Sequence, residues 1–376
     1  MKKHIYADNA ATTKLDVQAF EAMKPWLLEE YGNASQIYSF ARGPKSALAD
    51  ARETIAECIN AQPEEIFFTS GGTEGDNWVI KESALSDPDH RATITSAIEH
   101  HAILHSCYSI EKQKYPVVYL KPTKAGLVTS EALESSITDQ TRLVSVMFAN
   151  NEIGTIQPIE NLCAIAHQHG ALFHTDAVQA VGHIEIDVKR LGLDYLSASA
   201  HKFNGPKGVG FLYIKKGTLL PPLIDGGSQE SGRRAGTENI ALAVGMATAL
   251  KINCEALSKN KEHILSLEKR LLGALASSNV PFRRNGGGNT LPGLISLSFP
   301  NADGEAILHR LDLMGISIST GSACNSISTD VSHVLKAIQL EEKCAMGTIR
   351  ISLGKSNTNE EIDSIVAALI SVLQKH

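Results

Sequence analysis

Over the first two-thirds of the chain, short apolar runs alternate with longer segments whose apolar residues recur at helical spacing. Glu65-Ile-Phe-Phe-Thr-Ser70 reads as a strand, followed by Gly71-Gly72 and a helix over Thr73 to Leu85. Thr93-Ile-Thr95 precedes a helix that begins at His101. Further strands are expected at 117–120, 143–148, 171–174 and 195–197, and Gly210-Phe-Leu-Tyr-Ile214 is expected to return antiparallel. Short apolar strands separated by helices predict an α/β protein: a mostly parallel sheet covered on both faces. From Glu238 the pattern changes. One long helix is expected through Ala256 towards Ser277, then a strand at 294–299 and a helix over 303–314. A strand at 348–352 and an amphipathic helix over 360–373 close the chain. The division this predicts is a large domain over residues 15–254 and a smaller α+β domain made of 255–376 together with 1–14.

The length of 376 residues suits two domains, since single cores stop growing at ~250–300 residues. With 43% hydrophobic residues the chain is too apolar for intrinsic disorder. Thirty-five basic against 41 acidic residues, a net charge of -6, leave no basic excess to hold a nucleic-acid backbone. The longest apolar stretch, Ile240 to Leu250, falls short of the ~20 residues of a membrane span, so no membrane partner is expected. The opening residues turn polar too soon for a secretory signal, and the six cysteines include no CxxC pair. A cytoplasmic protein without a disulfide framework is the expectation.

Four constellations could carry chemistry. Thr69-Ser-Gly-Gly-Thr-Glu74 places two glycines between a strand end and a helix start, which suits a phosphate at a helix N-terminus. An ordinary tight turn would use the same residues. Ser199-Ala-His-Lys202 follows a strand; a partly buried lysine there could act as a Schiff-base amine, whereas a solvated one would do nothing. His174-Thr-Asp176 lies at the carboxyl end of a strand, where α/β proteins place ligands. Asp176 could bind a metal with nearby histidines or pair with a protonated ring nitrogen. His167 and His169 fall at a helix end capped by Gly170 and should point elsewhere, so no metal site is expected. Finally, small polar residues from Ser319 to Ser328 surround Cys324, placing that thiol to react and not to pack.

Taken together, these segments resemble the cysteine desulfurases of the NifS/IscS type, pyridoxal-phosphate enzymes of the class V aminotransferases. The resemblance runs through 6–13, 68–77, Glu99-His100, 150–154, 176–179, 199–202, 234–237, 321–324 and 350–354. It implies the type I fold of pyridoxal-phosphate-dependent transferases, with a seven-stranded, mostly parallel sheet. It makes Lys202 the lysine joined to pyridoxal 5′-phosphate as a Schiff base and the group that moves the substrate's Cα proton. Asp176 would pair with the ring nitrogen, Gln179 with the phenolic oxygen, Asn151 close by. His100 would stack on the ring and act as acid–base group. Gly72, Thr73, Ser199, Ala200 and His201 would hold the phosphate and the rest of the cofactor. Thr237 would reach the phosphate of a second subunit, which implies a homodimer with shared sites. Arg350, aided by Asn151 and Asn33, would clamp the carboxylate of L-cysteine.

Cys324 would take the sulfur as a persulfide while L-alanine leaves, and a sulfur acceptor or iron–sulfur scaffold would receive it. Ala34, Tyr38 and Thr320 depart from the commonest residues at their positions. The spacing to Ser332-His333 resembles that of the long-loop subgroup, and by this resemblance the long tail of housekeeping members is not expected. A selenocysteine lyase or related aminotransferase on the same fold is the alternative enzyme. A non-catalytic sulfur-relay or regulatory partner is the alternative outside enzymes, and it would need none of Lys202, Asp176, His100 and Arg350.

Overall fold

The structure is a computed structural model that describes residues 4–87, 89, 91–320 and 331–374. Its centre is a seven-stranded sheet in the order Ile66–Thr69, Gly210–Ile214, Tyr195–Ser199, Leu172–Asp176, Thr141–Ser145, Ala92–Ser96, Val117–Leu120. Gly210–Ile214 runs antiparallel to both neighbours, and the remaining pairs are parallel. Every residue of Tyr195–Ser199 and Gly210–Ile214 is buried, as expected of strands covered on both faces. Alternate side chains serve opposite cores. Phe173, Leu196, Phe211 and Tyr213 pack with helices Arg42–Cys58 and Ile240–Glu255. Tyr195, Leu212 and Ile214 pack with helices Gly72–Leu85 and His101–Glu111.

A second sheet is antiparallel, in the order Ser319–Thr320, Thr348–Ser352, Leu294–Ser298, Arg283–Arg284. Its core draws on Ile264, Leu267 and Leu271 from helix Leu257–Ala276 and on Ile362, Ile365 and Leu369 from helix Asn359–Leu373. The chain's first strand, Ile5–Tyr6, pairs in parallel with Ile316–Ser317. The segment that follows then crosses between the two sheets: Ala10 N donates to Ser352 Oγ at 2.9 Å, and Thr13 N donates to His201 O at 2.9 Å.

Two expected elements differ. The single long helix after Glu238 is two helices, Ile240–Glu255 and Leu257–Ala276, bent by 71° at Ala256. The break lets the first helix pack on the large sheet's core while the second covers the small sheet. The strand expected over 143–148 is Thr141–Ser145; Val146, Met147 and Phe148 stay buried beyond its end, Val146 and Phe148 in the large core and Met147 at the cavity. Apolar runs do not by themselves separate a strand from a buried loop. Among the described residues no single helix is long and apolar enough to cross a membrane.

Candidate active site

The carboxyl ends of the central strands open into a cavity of about 320 Å³. Strand Ile66–Thr69 ends there and helix Gly72–Leu85 begins at once. Gly71 holds φ +154° and ψ -178°, a region essentially reserved for glycine. A Cβ on Gly72 would collide with Val178 Cγ2, so only glycine lets this helix start approach the 176–179 segment. The first-turn N–H groups, which a helix cannot pair internally, therefore border the cavity at Gly72 and Thr73.

Strand Leu172–Asp176 delivers Asp176, whose Oδ1 accepts from Val178 N at 2.9 Å. Gln179 Nε2 donates to Ala10 O at 2.9 Å. Strand Tyr195–Ser199 delivers Ser199 and then a short 3-10 turn with His201 and Lys202. Lys202 Nζ donates to Ala10 O at 2.5 Å and to Ala11 O at 3.0 Å, so the N-terminal segment holds the amine at the cavity. His201 Nδ1 lies 3.1 Å from Thr12 Oγ1. From the other sheet comes Arg350. It donates to Asn151 O at 2.9 Å and to Asp8 Oδ1 at 2.8 Å, while its buried Nε has no hydrogen-bond partner among the described residues.

His100 caps helix His101–Glu111: Ala102 N donates to its Nδ1 at 3.1 Å, so the neutral ring carries its proton on Nε2. Burial holds the His100 pKa below the usual histidine value, against the pull of Asp176. Burial raises Asp176, and His100, the Val178 N–H and Lys202 oppose the rise. Glu99, next along the chain, is fully buried and pushed up to about 8, although Ser96 Oγ and Met147 N donate to it.

Of the residues singled out from the sequence, Gly72, Thr73, His100, Asn151, Asp176, Gln179, Ser199, His201, Lys202 and Arg350 all line this cavity. Three do not. Ala200 is fully buried and its N–H donates to Val209 O, so nothing of it faces the cavity. Asn33 lies outside, where its Oδ1 accepts from Ser35 N. Thr237 borders a separate hollow with Glu230 and Arg234, and Arg234 ties that region to Glu74 at 2.9 Å. Cys324 lies outside the described residues. His167 and His169 point away from the cavity, towards Asp194 and Asp139. Sequence reasoning assigned no role to Asp8, which holds Arg350, or to Asp76, which lines the cavity wall. Asp76 was detectable as an acid on the buried side of a helix, one turn after Gly72. A larger cavity of about 370 Å³ between Tyr6, His183 and Lys355 has lysines but no carboxylate in its lining.

A lysine and an aspartate at the carboxyl edge of this sheet, facing a glycine-shaped helix start, define a lysine-centred group-transfer enzyme of the α/β class. The chain belongs to the class V aminotransferase family, whose model matches residues 5–365. Enzymes of this family depend in general on pyridoxal phosphate. The chain is 45% identical to a cysteine desulfurase IscS of Dictyoglomus turgidum, over all of this chain and 96% of that one. Among solved structures it resembles a NifS-like protein, with TM-score 0.94, 38% identity and full coverage of both chains. It also resembles SspA in complex with cysteine, at TM-score 0.84 and 36% identity over 94% of this chain and all of that one.

Proposed function

We propose that the chain is a cysteine desulfurase that takes the sulfur of L-cysteine onto Cys324, releases L-alanine, and passes the sulfur to an acceptor. The acceptor belongs to iron–sulfur cluster assembly or thio-modification. The observation that carries this reading is the meeting of Lys202, Asp176, His100 and Arg350 in one cavity. Relatives named as cysteine desulfurases and a neighbour solved with cysteine support the substrate.

The residues present fit pyridoxal phosphate. The cradle that a Cβ on Gly72 would fill, with Thr73, Ser199 and His201, suits its phosphate. Asp176 suits its ring nitrogen, His100 its ring face, and Gln179 with Asn151 its phenolic oxygen. When bound, the cofactor supplies an electron sink for charge developing at the substrate's α-carbon. Lys202 provides the attaching amine and then carries the α-proton, from a position fixed by the carbonyls of Ala10 and Ala11. Arg350 receives the substrate carboxylate. The backbone of Asn151 and the carboxylate of Asp8 fix its guanidinium beforehand, so little freedom is lost on binding. His100 can exchange a proton through Nε2 without giving up its cap. The role of Cys324 rests on the Gly321-Ser-Ala-Cys324 motif.

The test is release of alanine and sulfide from L-cysteine with a reducing thiol present. Equal yields are expected, and Cys324→Ala should keep the bound cofactor and lose sulfide release. Wild-type sulfide release by that variant would end the persulfide reading. Alanine absent with cofactor bound would favour a different amino-acid substrate. We further propose a homodimer in which Thr237 completes the partner's phosphate site. Its position outside this chain's own cavity supports that arrangement, and a monomer in sedimentation equilibrium would remove it.

A further inference from the structure

Asp76 sits one turn into helix Gly72–Leu85, is 1% exposed, and still lines the cavity. Its carboxyl, the Asp176 carboxyl and the His100 ring each offer an atom, and the three atoms lie within 4.8 Å of one another. Oδ1 of Asp76 is buried without a hydrogen-bond partner among the described residues. Its ion-pair contact among the described residues is His174 Nε2, at 3.8 Å. That imidazole is no cation: it is fully buried between Ser145 Oγ and Ser197 Oγ, at 2.8 and 3.0 Å, and burial lowers its pKa to about 3.

Two buried carboxyls this close cannot both be ionised, because the second charge would meet the first in a medium of low dielectric. Their surroundings decide which keeps the proton. Asp176 receives the Val178 N–H and faces His100 and Lys202. Burial raises the Asp76 pKa well above the usual carboxyl value, the neighbouring Asp176 and Glu99 add to the rise, and a hydrogen bond from the Ser197 side chain opposes it.

We propose that Asp76 is a positioning residue for Asp176: it carries the one proton that the pair holds and leaves Asp176 as the lone anion beneath the ring-nitrogen site. A second anion there would repel the first and favour protonation of both. A neutral acid instead offers a donor group to the cavity floor, and donors near a carboxylate favour its charged form. This rests on the reading of the cavity as the pyridoxal-phosphate site.

The experiment uses the purified enzyme with its cofactor at pH 7. An infrared difference spectrum between wild type and Asp76→Asn should show loss of one protonated-carboxyl carbonyl band. The pH titration of the bound chromophore's absorption should be unchanged in Asp76→Asn, which keeps a neutral donor of the same shape. In Asp76→Ala, which removes the polar group beside Asp176, its midpoint should move by about one unit. No lost band, or an equal movement in Asp76→Asn, overturns the proposal. Should Asp76→Ala fail to fold, the infrared result with Asp76→Asn decides alone. A wild type that binds no chromophore would instead overturn the cofactor reading, and the infrared band would still decide the proton.

Discussion

The two sheets contribute to the cavity in different ways. The seven-stranded sheet delivers Asp176 and Ser199 at the ends of adjacent parallel strands paired in one hydrogen-bonded ladder, and Lys202 in the 3-10 turn that follows the second strand at once. The antiparallel sheet delivers one residue, Arg350, and its side chain is fixed only after contact with other parts of the chain: Asp8 and Asn151. Groups that must keep register with one rigid ring belong on a single ladder. A group that meets an exchangeable substrate can come from a separate layer, provided something else aligns it. Here that alignment falls to the N-terminal segment, which also holds Lys202 through Ala10 and Ala11.

Three substitutions grade this comparison. On the large sheet, Lys202→Ala should reduce turnover by at least about 10⁴-fold, since it removes both the attaching amine and the proton carrier. Steady-state rates with an absorption spectrum of the purified variant would measure this, and a surviving fast reaction would displace Lys202 from the centre. On the small sheet, Arg350→Lys should raise the KM for cysteine about 10–100-fold with a smaller effect on kcat, because an ammonium cannot present the guanidinium fork. An unchanged KM would move the carboxylate site elsewhere. At the junction, Asp8→Asn should raise KM about 2–10-fold and leave the chromophore as it was, having weakened only the partner of Arg350. An effect equal to that of Arg350→Lys would mean that Asp8 does more than align.

Much of the large sheet and its strand-end residues was legible, because buried parallel strands write themselves as short apolar runs and glycine marks the close approach at Gly71-Gly72. The end of a run was less legible: Val146 to Phe148 continue the strand's apolar run, yet they lie beyond its end, and Met147 lines the cavity. The bend at Ala256 was hidden because helical periodicity continues through it; what changes is which core the apolar face meets. Asp8 and Asp76 were present in quoted motifs without a role. The partner of Asp8 is 342 positions away, and that of Asp76 is on a strand a hundred residues later. For Asp8 that distance leaves no local signal, whereas Asp76 is marked only by its place on the buried side of a helix. Asn33 and Ala200 show the converse: a resemblance carries residue identity, and geometry then decides that neither faces this chain's cavity.

The N-terminal segment also imposes an order on biosynthesis. Ile5 waits for Ile316, and Asp8 waits for Arg350, so these residues find their neighbours only after more than 300 later ones have been made. At ordinary translation speeds of roughly 5–20 residues per second, that wait is on the order of tens of seconds. During it the strands of the large sheet can already pair, and the lysine is made without the carbonyls that will hold it. A nascent or truncated chain therefore cannot assemble the complete site, which confines its chemistry to the finished polypeptide.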